Sequence, residues 1–172
     1  MTSIPRIHVL LVEDYDAAAR LSMSLLERSA SDSYDIRLAH TLAEAIDAMV
    51  PLDVDVVLLD LNLPDSSGLE TLLRFREHAP VVPVVVLSAA VDEDMALQCI
   101  RAGASEVLNK GVLSSAALLR ALRFALLRGR VLDGQRLRTG LDYCLCRIST
   151  DGWLQPLDEA SAEVYDRCFA GM

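Results

Sequence analysis

The sequence predicts an α/β fold, namely a doubly wound parallel sheet of five strands in the order 2-1-3-4-5, with helices on both faces and a C-terminal extension. Two observations support this prediction. Short apolar runs rich in valine and leucine, which suit strands buried on both faces of a parallel sheet, alternate with segments whose apolar residues recur at helical spacing. The alternation occurs five times within about the first 130 residues. Right-handed crossovers leave few topologies for such a chain, and this strand order is the favoured one.

The first half of the pattern predicts three strands and two helices. The strands are apolar runs, and the helices carry apolar residues on one face. Thr41 and Glu44 have the spacing of a capping box, which marks the start of the second helix, and Pro51 lies beyond its end. In chain order, these elements are a strand over 7–12, a helix over 16–26, a strand over 36–39, a helix over 41–49 and a strand over 54–60.

The second half predicts two further strands and three helices. Ser67 and Glu70 repeat the capping-box spacing, so a helix is expected to begin there. Gly103 is a typical glycine stop after a helix, and Ser114 or Ser115 is the expected cap of the last helix. In chain order, these elements are a helix over 67–77, a strand over 82–87, a helix over 92–101, a strand over 105–108 and a helix from 114 or 115 through 127.

Residues 1–130 are predicted to form one domain and residues 131–172 the extension, because the strand–helix alternation does not continue beyond that point. Within the extension, residues 143–148 are a candidate short strand. From Pro156 onward, apolar residues recur on one helical face. That pattern predicts an amphipathic helix, which packs on the domain or on a partner.

Composition narrows the function. The formal net charge of −9 argues against general nucleic-acid binding, which requires clustered positive charge. No apolar run is long enough to cross a membrane, and the first residues lack the apolar core of a secretory signal. We therefore expect a soluble, cytoplasmic protein with neither nucleic-acid nor membrane partners. The four cysteines form no CxxC pair, so free thiols are expected rather than a zinc site.

Polar side chains stand where the predicted strands end. Glu13 and Asp14 follow the first strand, Asp60 ends the third, Ser88 follows the fourth and Lys110 follows the fifth. The carboxyl ends of parallel strands meet at one edge of the sheet, so these side chains are expected to converge. Clustered carboxylates are the ligands of a magnesium site. An ion there can neutralise a phosphoryl group while a carboxylate oxygen attacks phosphorus, with lysine and serine contacting the phosphoryl oxygens.

Four sequence motifs span these strand ends, namely LLVED (10–14), LLDLNLPDSSGLE (58–70), VLSA (86–89) and GASEVLNK (103–110). By these motifs, the chain over about residues 6–130 resembles the receiver domain of two-component response regulators. By that resemblance Asp60 is the phospho-acceptor, Ser88 is the switch hydroxyl and Lys110 senses the phosphate. Magnesium would be held by Glu13, Asp14, Asp60 and the backbone carbonyl of Asn62, and the phosphoryl donor would be a histidine kinase or a phosphotransfer protein.

The sequence departs from the family at two positions. Val107 takes the place of the Tyr or Phe that receivers usually carry in the fifth strand, an aromatic side chain that moves inward and relays the signal to the outer face. Gly111 follows Lys110, where receivers commonly have proline. Neither change touches Asp60. We therefore expect intact phosphorylation chemistry and a relay to the output that is weakened or replaced, since valine is small and stiff.

By the same resemblance, the face formed by the fourth helix, the fifth strand and the fifth helix is a candidate surface for a homodimer or another partner. The fifth helix carries arginines around or beyond its apolar stripe, at positions 120, 123, 128 and 130. These side chains could pair with carboxylates across an interface. An ordinary charged exterior explains them equally well.

Three functional hypotheses follow. The leading one is a magnesium-dependent receiver that accepts a phosphoryl group on Asp60 and signals through protein–protein interaction. The alternative is a receiver-like docking module that ignores phosphorylation, with Val107 and Gly111 as marks of a degenerate switch. A phosphatase of the haloacid dehalogenase type is weaker, because such enzymes carry a second Asp where this chain has Asn62. We therefore expect a signalling domain rather than an enzyme.

Overall fold

The chain divides into two compact units, Met1–Gly134 and Gln135–Met172. The computed structural model describes residues 6–29, 32–49, 53–89 and 92–133, with the side chains described up to residue 129, and the backbone of residues 146–148 and 154–156. In the second unit, Cys146–Ile148 pairs antiparallel with Leu154–Pro156. The first of these strands lies inside the segment 143–148 expected to be extended. The helix expected after Pro156 lies outside the described residues.

The first unit is built on a parallel sheet of five strands. The two strands at its centre, β3 and β4, are buried along their whole length, as their unbroken apolar runs predict. The order is β2-β1-β3-β4-β5, and every neighbouring pair is parallel, which confirms the predicted topology. The strands are β1 Arg6–Val12, β2 Ser33–Ala39, β3 Val56–Asp60, β4 Val84–Ser88 and β5 Glu106–Asn109.

Helices cover both faces of this sheet. Three of them pack on one face around Leu42, Leu72 and Phe75, and the other two pack on the opposite face around Leu26 and Leu122. The first group is α2 Leu42–Met49, α3 Leu69–His78 and α4 Glu93–Arg101, and the second is α1 Asp16–Glu27 and α5 Ser115–Asp133. The predicted doubly wound α/β architecture is therefore confirmed.

Three of the four predicted helix-end signals are correct. The Thr41 hydroxyl accepts a hydrogen bond from the Glu44 N–H at 3.1 Å, and the Ser114 hydroxyl accepts one from the Ala117 N–H at 3.2 Å. Gly103 follows α4 with a φ of 98°, the left-handed conformation expected of a glycine stop. The capping box at Ser67 is wrong. The residue before α3 is Gly68, with a φ of 64° and no side chain to cap the helix.

The core-facing side of α1 also differs from the prediction. The apolar spacing predicts Ala18, Leu21, Leu25 and Leu26 on the buried face, but Leu21 is 49% exposed. The buried positions are Ala19, Ser22 and Leu25, together with Leu26. Leu25 and Leu26 are therefore buried as predicted, whereas Ser22 rather than Leu21 takes the buried position one turn earlier.

Candidate functional site

The carboxyl edge of the sheet gathers the polar residues that the sequence singled out. Glu13 follows β1, Asp60 is the last residue of β3 and Ser88 is the last residue of β4. Their exposed fractions are only 1%, 5% and 3%, although acidic side chains are rarely buried without a partner. Asp14 is exposed beside them. Burial of two carboxylates at one edge requires a compensating positive charge.

Lys110 supplies that charge. Its ammonium Nζ donates hydrogen bonds to Glu13 Oε2 and, at 2.7 Å, to Asp60 Oδ2. Lys110 stands directly after β5 and reaches across the end of β4 to make both contacts. Lys110 is also the only lysine of the 172-residue chain, and the other 15 residues among its 16 lysines and arginines are all arginine. A compact, flexible ammonium suits this position, where two carboxylates are met by a single cationic group.

The three carboxylates at this edge can also hold a metal ion. Glu13, Asp14 and Asp60 each offer one oxygen, and these oxygens lie within 4.8 Å of one another. Hard oxygen donors at this spacing suit a small divalent cation such as Mg²⁺. With Lys110 included, three negative charges face one positive charge. The residues present therefore fit the ion that the sequence predicts, and a second cation would complete the charge balance.

Burial controls the electrostatics of Glu13. It raises the pKa of this carboxyl above its ordinary value of 4.5, and the charge of Asp60 raises it further. The hydrogen bond and charge of Lys110 and the N–H of Tyr15, 3.3 Å from Glu13 Oε1, lower the pKa without cancelling the effect of burial. A bound divalent cation would favour the ionised carboxylate.

The loop after Asp60 forms a short hairpin that the sequence pattern did not predict. Asn62–Leu63 pairs antiparallel with Ser66–Ser67. The N–H of Asn62 donates a hydrogen bond to Asp60 Oδ1 at 3.1 Å, so the two Asp60 oxygens have different partners. The loop is also held to α3, because the Thr71 hydroxyl lies 2.8 Å from the carbonyl oxygen of Leu61.

Asp65, in the turn of this hairpin, caps a helix from a distant part of the chain. Its two carboxylate oxygens accept hydrogen bonds from the N–H groups of Leu42 at 2.8 Å and Ala43 at 2.9 Å, at the start of α2. Anionic groups are favourable at this end of a helix. The contact fixes the loop that follows Asp60 to the neighbouring helix. Because Asp65 is 23 residues from Leu42 and 22 residues from Ala43, no local sequence pattern indicates this contact.

Asp65→Ala is expected to lower the free energy of unfolding at pH 7 by about 1 kcal/mol, because the N–H groups of Leu42 and Ala43 at the start of α2 would lose their acceptor while Thr41 still caps the Glu44 N–H. Burial is the largest single influence on Asp65 and raises its pKa, but the N–H groups of Leu42 and Ala43 and the charge of Arg74 together hold the pKa below its ordinary value of 3.8. The folded-state pKa is thus below the unfolded one. The stabilisation is therefore complete above the unfolded pKa and is lost as the pH falls through the folded pKa.

Urea unfolding of both proteins, repeated at pH values from 7 towards 3, tests this expectation. The difference in unfolding free energy should narrow as the solution becomes more acidic, since protonation removes the negative charge that accepts the two N–H groups. A difference that is absent at pH 7, or that is unchanged in acid, would contradict the assigned role of Asp65.

The two departures from the family pattern have structural consequences. Val107 is partly buried and packs with the cluster between the sheet and helices α2 to α4. Gly111 lies in a 3₁₀ turn, Lys110–Val112, and its N–H donates a hydrogen bond to Asn109 Oδ1 at 2.7 Å. Proline has no N–H and could not make this bond. Asn109 is paired in register with Ser88, so the turn that presents Lys110 is tied to the end of β5 beside the site.

Comparisons with known proteins identify the family to which this fold belongs. A family model described as "Response regulator receiver domain" matches residues 9–123. The chain is 35% identical over 100 residues to the regulatory protein LuxO of Vibrio cholerae, a match covering 58% of this chain and 21% of that protein. It is 35% identical over 103 residues to the KDP operon transcriptional regulatory protein KdpE of Escherichia coli, covering 60% of this chain and 44% of that protein.

Solved structures give the same result for the fold. A signal receiver domain of a LuxO repressor protein from Vibrio parahaemolyticus matches with a TM-score of 0.66 and 29% identity, over 75% of this chain and 96% of that one. The chain spans less than half the length of the two curated relatives. Among the described residues, none of the helices combines the length and the apolar character needed to traverse a bilayer.

Proposed function

The chain belongs to the response regulator receiver family, and from this premise we propose that it accepts a phosphoryl group on Asp60 from a histidine kinase or a phosphotransfer protein. The reaction depends on Mg²⁺, and the phosphorylated protein signals through protein–protein interaction. Within this proposal residues 1–130 are the receiver domain and residues 131–172 its extension, and the protein acts in the cytoplasm without binding nucleic acid.

The observation that carries the proposal is the pair of contacts from the Lys110 ammonium to Glu13 and Asp60. In the proposed step, an Asp60 carboxylate oxygen forms a bond to phosphorus, and the bond from phosphorus to the donor's histidine nitrogen breaks. The product is an acyl phosphate. Water later attacks phosphorus, releases phosphate and restores the carboxylate. When bound, magnesium held by Glu13, Asp14, Asp60 and the Asn62 carbonyl would neutralise charge on the phosphoryl oxygens.

Lys110 and Ser88 provide the remaining contacts in this proposal. Once Asp60 carries a phosphoryl group, its own carboxyl group is a neutral acyl group and the negative charge lies on the phosphoryl oxygens, so the Lys110 ammonium can move to one of these oxygens. Ser88 is buried at the end of the strand next to β3, and its hydroxyl can serve as a second donor. Donors fixed before the reaction are the main source of such stabilisation.

The direct test is phosphorylation with a small-molecule donor. Incubation with acetyl phosphate and Mg²⁺ should add one phosphate per molecule, measured by intact-protein mass spectrometry, and Asp60→Ala should abolish the addition. Asp47→Ala is the matched control, because Asp47 is an exposed carboxylate on α2 outside the cluster. A wild-type protein that binds Mg²⁺ normally and still takes up no phosphate would overturn the proposal.

The partner surface remains the face of α4, β5 and α5. Leu97 and Ile100 on α4 are 48% and 40% exposed, which supports an apolar contact there. Two of the arginines of α5 contribute less than the sequence alone suggests. Arg123 forms an ion pair with Asp32 at 2.8 Å, and Arg128 donates a hydrogen bond to the Ser105 carbonyl at 3.2 Å. We propose that a homodimer through this face depends mainly on α4.

The docking module that ignores phosphorylation is not favoured. A degenerate switch would not need a cation held against two buried carboxylates, and that arrangement is present. Because Val107 stands where receivers usually carry the aromatic relay residue, we propose that the output depends on backbone movement near Lys110 rather than on an aromatic side chain. The turn Lys110–Val112 is well placed for this role, because Val112 is 80% exposed directly after the site.

A further inference from the structure

One peptide group in the loop after Asp60 connects α3 to the acceptor carboxylate. The carbonyl oxygen of Leu61 and the N–H of Asn62 belong to the same peptide unit, which is planar and rigid. The Thr71 hydroxyl contacts that carbonyl oxygen at 2.8 Å, and the N–H contacts Asp60 Oδ1 at 3.1 Å. A side chain of α3 is therefore linked to Asp60 through a single rigid group.

The hydrogen-bond directions at Thr71 follow from its chemistry. A hydroxyl carries one proton, and the Leu61 carbonyl oxygen can only accept, so Thr71 donates its proton to Leu61. The Ser66 hydroxyl, 2.9 Å from the Thr71 oxygen, is then the donor in the second contact. Thr71 is fully buried, with an exposed fraction of 0%. The hydroxyl therefore cannot exchange its partners for water, and the orientation of the peptide is fixed.

We propose that Thr71 is a positioning residue for the phospho-acceptor. It fixes the plane of the Leu61–Asn62 peptide, whose N–H holds Asp60 Oδ1, so that Oδ2 is presented to Lys110. The same peptide precedes the Asn62 carbonyl that is proposed as a metal ligand. Without the Thr71 hydroxyl, the peptide would be free to rotate towards other donors, and the Asp60 carboxylate would lose its fixed orientation. This inference rests on the proposed function for its effect on rate, but not for its effect on structure.

The test compares Thr71→Val, which keeps the shape and loses the hydroxyl, with Thr71→Ser, which keeps the hydroxyl. Phosphorylation by acetyl phosphate at saturating Mg²⁺ should be about tenfold slower in Thr71→Val, as is typical when a group that orients a functional side chain is removed. It should be close to the wild-type rate in Thr71→Ser. Equal rates for Thr71→Val and wild type, or an equally slow Thr71→Ser, would overturn the proposal.

A second readout needs neither magnesium nor donor. In the ¹H–¹⁵N spectrum of the metal-free protein, the amide proton of Asn62 should move upfield in Thr71→Val, because its hydrogen bond to Asp60 is weakened, and should keep its position in Thr71→Ser. An unmoved Asn62 amide would overturn the positioning role even if wild-type protein cannot be phosphorylated. Should Thr71→Val fail to fold, Thr71→Cys, with a weakly donating thiol, should show the same upfield displacement.

Discussion

Lys110→Met is expected to bind Mg²⁺ about tenfold more tightly than the wild-type protein and to be phosphorylated at least about 100-fold more slowly. The two effects have opposite signs because Lys110 weakens the binding of Mg²⁺ but stabilises the phosphoryl group. Its ammonium contacts Glu13 and Asp60, so it competes with a metal ion for the same carboxylates. The phosphoryl group is anionic, and the same ammonium stabilises it.

The size of each effect follows from the burial of the site. Two unit charges about 4 Å apart interact by about 4 kcal/mol at an effective dielectric constant of about 20, and side-chain relaxation and solvent reduce the measured effect to about a tenfold change in affinity. Removing one prearranged donor from the charge that develops in a reaction costs about 100- to 1,000-fold in rate. Methionine retains an unbranched side chain of similar length, so the substitution removes mainly the charge.

Calorimetric titration with Mg²⁺ and phosphorylation by acetyl phosphate at saturating Mg²⁺ measure the two effects. Both measurements should be made near pH 8 to favour the ionised Glu13 carboxylate. Burial raises the pKa of Glu13, and the loss of Lys110 would raise that pKa further. Arg20→Met is the matched control. Arg20 is exposed, and its side chain lies 4.0 Å from an equally exposed Asp16, so neither measurement should change. Weaker Mg²⁺ binding by Lys110→Met would contradict the competition between lysine and metal.

A second readout of the same competition uses the wild-type protein. Since the chain has a single lysine, selective labelling of lysine gives one side-chain signal. That signal should shift when Mg²⁺ is added, as the ammonium gives up its contacts with the carboxylates. An unchanged signal at saturating Mg²⁺ would place the metal elsewhere.

The fold and the convergence of site residues could be predicted because both depend on short-range patterns. Unbroken apolar runs such as the one that ends in Asp60 are typical of a central strand of a parallel sheet. The topology then brings the ends of β1, β3, β4 and β5 together, although Glu13 and Lys110 are 97 residues apart. The contact itself needed no separate prediction, since it follows from the order of the strands.

The contacts that shape the loop after Asp60 could not be predicted in this way. The spacing of Ser67 and Glu70 is that of a capping box, but the hairpin uses Ser67 as a strand residue, and Gly68 takes the position before the helix. Asp65 caps a helix that precedes it by more than 20 residues. Thr71 occupies a buried position of α3 and bonds to a carbonyl oxygen. Each contact depends on the tertiary structure, so the sequence pattern alone carries no sign of it.

Arg76→Met is expected to lower the free energy of unfolding by about 3 kcal/mol, the largest loss of stability that we predict for this chain. The Arg76 guanidinium donates hydrogen bonds to four carbonyl oxygens, those of Ala79, Pro80, Val82 and Gly103. It joins the end of α3, the connection to β4 and the turn after α4. Burial lowers the pKa of Arg76, but an arginine remains charged at neutral pH.

The expected loss comes from the carbonyl groups as much as from the arginine. Methionine fills much of the space of the arginine stem, so the cavity is small, but four acceptors lose a charged donor. Arg76→Lys should recover only part of the stability. The lysine ammonium is compact and has three donors, but it lacks the planar fork with which the arginine guanidinium reaches carbonyl groups on both of its sides. Gly103 permits this arrangement, because a Cβ there would lie 3.3 Å from Arg76 Nε.

Urea unfolding followed by circular dichroism gives the measurement, with Arg74→Met as the control. Arg74 is an exposed residue of the same helix, and its side chain donates a hydrogen bond of 3.2 Å to the Asp65 carbonyl, so its loss should cost less than about 0.5 kcal/mol. Arg76 contacts the segments before β4 and β5, at the edge of the sheet opposite Asp60. Phosphorylation of Arg76→Met at a temperature where it is folded should therefore proceed at the wild-type rate. A loss of stability no greater than that of Arg74→Met would show that the four carbonyl contacts contribute little.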